Sequence, residues 1–281
     1  MTVGAALRSP WTSLAAGNVA IVTLFAPIFP SMVHEWATFS SLSHGFVVPF
    51  VSTYLVWVRR ADLRRQVPTP ASAGLPVLLG GVLMYVAGTL AHESFLARIA
   101  FLVALSGGIL YLGGYAVMRT VAPGVAYLTL MIPLPYVAVK ELTDELRVVE
   151  ATVSAWILPL IGVPVMQEGV LLHLANATLE VAEACSSIPA MLSLLALGAA
   201  LAYVTRRPPL VHLVLVAAAV PLGFASNIAR IAMTAAGVYY IGPVALAGVL
   251  HTWHGTVVFV MTFAALSLVN LGLMRLRPSV P

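Results

Sequence analysis

The sequence predicts an all-α integral membrane protein, a bundle of about eight transmembrane helices with a short external hairpin and an interfacial or re-entrant helix. Three observations predict it. Of the 281 residues, 60% are apolar and 9% charged, where soluble domains run at about 45–50% apolar and about 25% charged. The mean hydropathy is +1.00, and the uncharged runs are continuous, as over 210–226, rather than the short alternating segments of a membrane barrel. Backbone facing lipid must close its hydrogen bonds within its own segment, which a helix does. Finally, the charges lie between the apolar runs. The pI near 9.5 is therefore a topology signal and not a nucleic-acid signal.

Runs of about 20 apolar residues give spans at 13–33, 43–58, 71–91, 99–118, 120–139, 186–204, 210–229 and 252–273, in a single polytopic domain over 1–281. The first run has no cleavage pattern and stays as an anchor. The second is short and needs little tilt. If the spans alternate, Arg8, Arg59, Arg60, Arg64, Arg65, Arg119, Arg206, Arg207, Arg275 and Arg277 share one side, 10 of the 14 basic residues, with Asp62 as the only acid there. The other nine acids fall opposite, with Arg98, Lys140, Arg147 and Arg230. The positive-inside rule puts both termini in the cytoplasm. The segment 140–184 then lies outside. Its apolar stretch 151–166 is about 16 residues with Pro159 and Pro164, which reads as an interfacial or re-entrant helix. After it, 168–180 (EGVLLHLANATLE) has a polar centre between two apolar runs and reads as a hairpin. No internal repeat and no low-complexity segment is found.

This topology collects reactive side chains at one depth. Cys185, the only cysteine, opens the sixth span, Arg230 closes the seventh, and His251 and His254 open the eighth. A thiol in the first turn of a helix has its thiolate stabilised by the helix N-terminus and by nearby cations. Arginine stays protonated but can bind a thiolate, a carboxylate or a developing oxyanion. Histidine can take the thiol proton and return one to a leaving amine. Either histidine fits, and the set suffices for cysteine acyl transfer. Each residue also has a structural reading. Cys185 serves as a small packing residue, Arg230 snorkels to the headgroups, and the histidines join Trp253 in an interfacial belt. Asn227, three residues before Arg230, shares its helical face and orients it or caps the helix. His173, Glu180 and Glu183 are too loosely spaced for a metal site, and no metal or cofactor is expected.

In order along the chain, these motifs resemble the exosortases, bacterial relatives of the archaeosortases, over nearly the whole length. LEVAEACSSIPAMLSLLALG over 179–198 resembles the family's nucleophile segment, with Glu183 two residues before the thiol. Asn227-Ile-Ala-Arg230 is similar to its Asn-x-x-Arg, and His251-Thr-Trp-His254-Gly255 through Phe259 to its His-x-x-x-Gly-x-x-x-Phe. The match assigns His251 the catalytic place and leaves His254 as helper or bystander. Upstream, 43–49 (SHGFVVP), 131–136 (MIPLPY) and 162–169 (GVPVMQEG) also resemble family segments. Ser43 and His44 then either contact substrate or pack. The family's usual Cys-Ser-Gly-Ile-Arg-Ser departs here to Cys185-Ser186-Ser187-Ile188-Pro189-Ala190, which bears on substrate choice.

The resemblance implies a bacterial inner-membrane cysteine transpeptidase or protease. Its partners are exported proteins bearing a C-terminal PEP-CTERM-like sorting signal. Cleavage is on the periplasmic side, with transfer to a glycan or lipid-linked envelope acceptor. Cys185, Arg230 and His251 take the catalytic places, and Asn227, Glu183, His254, Ser43 and His44 the supporting ones. The competing class is a non-catalytic transporter or scaffold for exopolysaccharide export. Transporters place ionisable groups and broken helices at the bilayer midplane, whereas here the ionisable groups gather at helix ends. A sugar transferase would ask for external carboxylates with a metal, and 141–150 instead has the mixed-charge pattern of a surface helix.

Overall fold

The computed structural model describes residues 9–182, 186–205, 209–242, 244 and 248–276. They fall into two compact units, Met1–Leu134 and Pro135–Pro281. In the first unit, helix α1 (Pro10–Leu24) runs through a short 3-10 turn into α2 (Phe29–Thr38) with a bend of 48°. Pro27 and Pro30 lack the N–H that would carry the ladder across, which accounts for the bend. A 3-10 turn over Ser40–Phe46 leads to α3 (Val48–Val58) and the short α4 (Arg60–Arg64). Helix α5 (Gly74–Leu90) packs on α6 (Ser94–Tyr127) through Gly74, Gly81 and Gly88, one heptad apart and all buried. A Cβ on Gly81 would sit 2.5 Å from the backbone nitrogen of Ala104, so the two backbones touch, as small residues permit in membrane helices.

Helix α6 breaks at Gly114, whose φ of 80° only glycine adopts freely. The carbonyls freed just before the turn are not wasted. Gly113 accepts from Thr69 N–H and Tyr111 from Ala71 N–H, both at 3.2 Å. Leu14, Ile109, Val117, Val121 and Val125 form one core cluster of this unit. Near the start of α6, Arg98 is 4% exposed and grips Glu35 of α2 with both terminal nitrogens, Nη1 to Oε2 at 2.9 Å and Nη2 to Oε1.

The second unit opens with α7 (Tyr136–Ile157), which ends in a 3-10 turn at Leu158–Ile161 and Gly162 in the left-handed region. Three antiparallel strands follow, β1 (Val165–Glu168), β2 (Leu171–Leu174) and β3 (Thr178–Glu180), in the order β1-β2-β3. Then come α8 (Ile188–Val204), α9 (Pro209–Ile241) and α10 (Gly248–Leu276). Among its described residues this unit has two apolar cores. One joins Leu194 and Ala202 of α8, Val211, Leu215 and Ala219 of α9, and Leu266 of α10. The other joins Ala151 and Leu158, the sheet residues Leu172 and Leu174, and Ile231, Ala232, Ala235 and Val238 of α9. Helix α9 therefore serves both, the first with its N-terminal half and the second with its C-terminal half.

The protein is a helical membrane protein. Among the described residues, Ser94–Met131, Leu210–Ile241 and Thr256–Leu273 are long and apolar enough to cross a membrane, and the bent pair α1–α2 makes a fourth if it acts as one span. Val48–Val58, Gly74–Leu90 and Ile188–Val204 are apolar but shorter. Several expected boundaries move. The runs 99–118 and 120–139 part at Gly114 rather than at Arg119, because glycine can turn the chain where arginine would not. The second of them stops at Met131, since Pro133 and Pro135 deny the ladder two donors. Of the stretch expected as a separate helix over 151–166, residues 151–157 are the end of a helix that begins at Tyr136, there being no glycine or proline between Tyr136 and Pro159 to start a new one, and 165–166 open β1. The expected hairpin over 168–180 is present as β2 and β3, its turn closed by Leu174 N–H onto Ala177 carbonyl at 2.8 Å, and it gains a third strand, β1, ahead of it.

Candidate active site

The site is set by the seam between the two cores of the second unit. Along α9, the buried apolar residues Val211, Leu215 and Ala219 give way to Ser226 and Asn227, 9% and 2% exposed, and then to half-buried Arg230. After it the apolar pattern resumes at Ile231. Polar side chains at this level are costly unless each finds a partner. Gly223, one turn before Asn227, lets the first turn of α8 come close, since a Cβ there would meet Met191 backbone nitrogen at 2.9 Å. Ser187 is the N-cap residue of α8, with Pro189 in the first turn, where its missing N–H costs no ladder bond.

Helix α7 joins α8 and α9 from behind this seam, through Glu150. Its buried residues Arg147, Glu150, Ala151 and Ser154, with Leu158 just beyond its end, recur at spacings of three and four and form one stripe. Glu150 has no exposed surface at all. Its Oε1 accepts from the backbone N–H of Ser187 at 3.0 Å and its Oε2 from the side-chain amide of Asn227 at 2.8 Å. Burial pushes the Glu150 carboxyl above the usual carboxylate range, opposed by the hydrogen bonds from Ser187 and Asn227 and by the positive charge of Arg230. Arg147, one turn earlier, is directed elsewhere: Nε donates to Val181 carbonyl at 2.6 Å, and the terminal nitrogens reach Asp144 and Glu180, each at 3.2 Å.

Beside this cluster lies a cavity of about 160 Å³ lined by Ser186, Pro189, Ala190 and Ser193 of the α8 start, Ser226, Asn227 and Arg230 of α9, and Val258 and Phe259 of α10. Its lining combines a guanidinium and hydroxyls with apolar carbons. Such a space can seat a short peptide segment and put a positive charge near its carbonyl.

Among the residues expected from sequence, Asn227 and Arg230 share this cavity with Ser186, the residue that follows Cys185. Cys185 and Glu183 lie outside the described residues. The backbone of His251 and His254 is helical in the first turns of α10, His251 seven residues before Val258, while their side chains lie outside the described ones. Ser43 and His44 belong to the first unit, on the 3-10 turn Ser40–Phe46, where His44 Nε2 is 3.2 Å from Leu130 carbonyl and the neighbouring Trp36 donates to Met131 carbonyl at 3.0 Å. In sequence, Glu150 reads only as part of a mixed-charge surface helix. A signal is nevertheless present, since Glu150 shares its helical stripe with Ala151 and Leu158, whereas Glu141 and Glu145 do not.

No curated protein and no solved structure matches the chain. The family description Transmembrane exosortase (Exosortase_EpsH) matches residues 36–268, a range that takes in the cavity, the Glu150 cluster and every motif from Ser43 to Phe259. That family has a membrane transpeptidase-type role in general, and with most of its length matched the chain belongs to the transmembrane exosortase family.

Proposed function

We propose that the chain is an intramembrane cysteine transpeptidase or protease that cleaves C-terminal PEP-CTERM-like sorting signals of exported proteins and passes the protein to a cell-envelope acceptor. The observation that carries this reading is the cavity shared by Ser186, Asn227 and Arg230, because it puts the residue after Cys185 beside the Asn-x-x-Arg pair. In the first step Cys185 Sγ attacks the scissile carbonyl carbon after His251 takes the thiol proton. Arg230 balances the charge that develops on the carbonyl oxygen. The carbon–nitrogen bond then breaks, the leaving amine receives the proton from His251, and a thioester on Cys185 remains. An acceptor amine, hydroxyl or water gives its proton to His251, attacks the thioester carbon and frees the thiol. Asn227, Glu183 and His254 support these three groups. The chemistry needs neither metal nor cofactor.

The membrane setting is consistent with that reading. A substrate tail with a hydrophobic helix can diffuse laterally into a helical bundle. Helix α9 spans 33 residues, about 50 Å at 1.5 Å per residue, against a hydrocarbon layer of about 30 Å. Started at the cytoplasmic face after Arg206 and Arg207, it brings Arg230 to the opposite edge of the hydrocarbon. We therefore assign the chain to the bacterial inner membrane, with both termini cytoplasmic and the site facing the periplasm.

The test is a blot of an exported reporter carrying a tripartite C-terminal tail from the same genome. It is co-expressed with the wild-type chain or with Cys185→Ala, Arg230→Ala or His251→Ala at matched membrane levels. The wild type is expected to shorten the reporter and the three variants to leave it full length. Full processing by Cys185→Ala would remove the nucleophile assignment, and an unprocessed reporter with every version would turn the assignment toward a non-catalytic export role.

A further inference from the structure

We propose that Glu150 is the positioning residue of this site, the carboxylate that fixes the segment carrying Cys185 against the helix carrying Arg230. The inference rests on the cysteine acyl-transfer reading and adds to it a residue from a third element. A fully buried carboxylate is an expensive way to fill space, because removing it from water costs several kcal/mol before any partner is counted. An alanine or leucine on the α7 stripe would pack without that cost. What the carboxylate gains is two acceptors aimed at donors on two other elements.

Those donors bracket the chemistry. Ser187 follows Cys185 by two residues, so their Cα atoms are within about 7 Å of each other. Its N–H belongs to the start of α8, where backbone donors have no intrahelical acceptor and a negative charge is favoured. Asn227 precedes Arg230 by one turn of α9, about 5 Å along the axis. One carboxylate thus sets the separation of the thiol-bearing segment from the guanidinium-bearing helix. Arg147 on its own element is directed to Val181, Asp144 and Glu180, so Arg230 is the cation that Glu150 senses.

Polarity makes the role testable. Both donors need acceptors, so Glu150→Gln sets an amide against one of them and breaks a bond, while Asn227→Asp sets two carboxylates face to face. The double variant Glu150→Gln with Asn227→Asp exchanges donor and acceptor. The amide introduced on α7 would then donate to the carboxylate introduced on α9 and keep its carbonyl for Ser187 N–H, with one negative charge still in the cluster.

Because the chain has one cysteine, alkylation of the detergent-solubilised full chain by iodoacetamide, followed across pH, reads the Cys185 thiol without any substrate. Arg230→Ala and a thermal unfolding curve for each variant accompany it. We expect Glu150→Gln and Asn227→Asp each to slow alkylation near neutral pH by about 10-fold, the equivalent of one pKa unit, and the double variant to return within about 3-fold of wild type. A carboxylate acting only through its charge would oppose the thiolate, so its removal would speed alkylation, and that sign overturns the positioning role. A double variant as impaired as the singles while equally folded overturns it too. Should the singles not fold, the double variant alone decides by the same criterion. A wild-type thiol that titrates like a free one, unmoved by Arg230→Ala, would instead sink the acyl-transfer reading itself. An activated thiol that Arg230→Ala perturbs and Glu150→Gln does not would sink only the inference about Glu150.

Discussion

Arg98 of the first unit and Glu150 of the second are both buried, and these two charges are handled in opposite ways. In the first unit Arg98 meets its counterion directly, with Glu35 facing both terminal nitrogens of the guanidinium. Each charge of that pair is balanced by the other, with Ser31 Oγ as a further partner of Arg98 Nη2 at 3.4 Å. In the second unit Glu150 is held by neutral donors, a backbone amide and an asparagine side chain. Hydrogen bonds from dipoles stabilise a carboxylate without cancelling its charge, so Glu150 still acts on Arg230. A buried ion pair of the first kind is an architectural choice that apolar residues can often replace. A buried charge of the second kind is kept for what its remaining field and its fixed donors do.

The contrast can be broken most forcefully in the first unit. Glu35→Leu leaves Arg98 buried without its counterion and should lower stability by about 3 kcal/mol, whereas Glu35→Leu with Arg98→Met should come within about 1 kcal/mol of wild type. Unfolding midpoints in one detergent check both. Reporter processing per folded molecule should stay within about threefold of wild type in each. A double variant that folds well but fails to process would mean that the first pair, too, is kept for function.

A smaller effect is expected from pH. Burial raises the Glu150 carboxyl above its unfolded value, so between those two values the folded chain binds the proton more readily than the unfolded chain. Stability from this group is therefore fully present below the unfolded pKa and is lost as pH rises through the folded one. Function has the opposite sign, since a protonated carboxyl can no longer accept from both Ser187 and Asn227. Glu150 should thus contribute a rise in the unfolding midpoint in mild acid, which Glu150→Gln should flatten, and a slowing of Cys185 alkylation beyond that caused by protonation of the thiol itself. Asp144 works in the other direction: its hydrogen bond with Lys140 holds it below the usual range, so its contribution is present above the unfolded value and is lost as pH falls through the depressed one. The smallest effect belongs to Lys140→Ala. It removes an exposed pair with Asp144, and processing should stay within about twofold of wild type.

The membrane class is legible in composition, and the placing of Asn227 and Arg230 on one helical face is legible because a helix repeats every 3.6 residues. The breaks are harder. Gly114 and Arg119 compete for the same boundary, and a hydropathy window sees the charge but not the left-handed backbone. Glu150 escapes for a different reason. Neighbouring Glu141, Asp144, Glu145 and Arg147 make 140–150 look like a solvated face, and only the phase of the helix separates the buried acid from the exposed ones. Its partners, Ser187 and Asn227, are 37 and 77 residues away in the chain, a pairing that no local pattern encodes.

Helix α9 passes through both cores of the second unit, with Ser226, Asn227 and Arg230 between them. The two halves are consequently locked in rotation. One residue inserted between Ala219 and Ser226 would turn everything beyond it by about 100° and lift it by about 1.5 Å. The polar belt would then face the wrong neighbour while both cores still tried to hold their ends. Seven residues nearly restore the angle but add about 10 Å of height, enough to carry Arg230 away from the start of α8. The length of this helix below the belt is therefore fixed twice over, once by angle and once by depth, and a family sharing this seam has very little freedom to lengthen it.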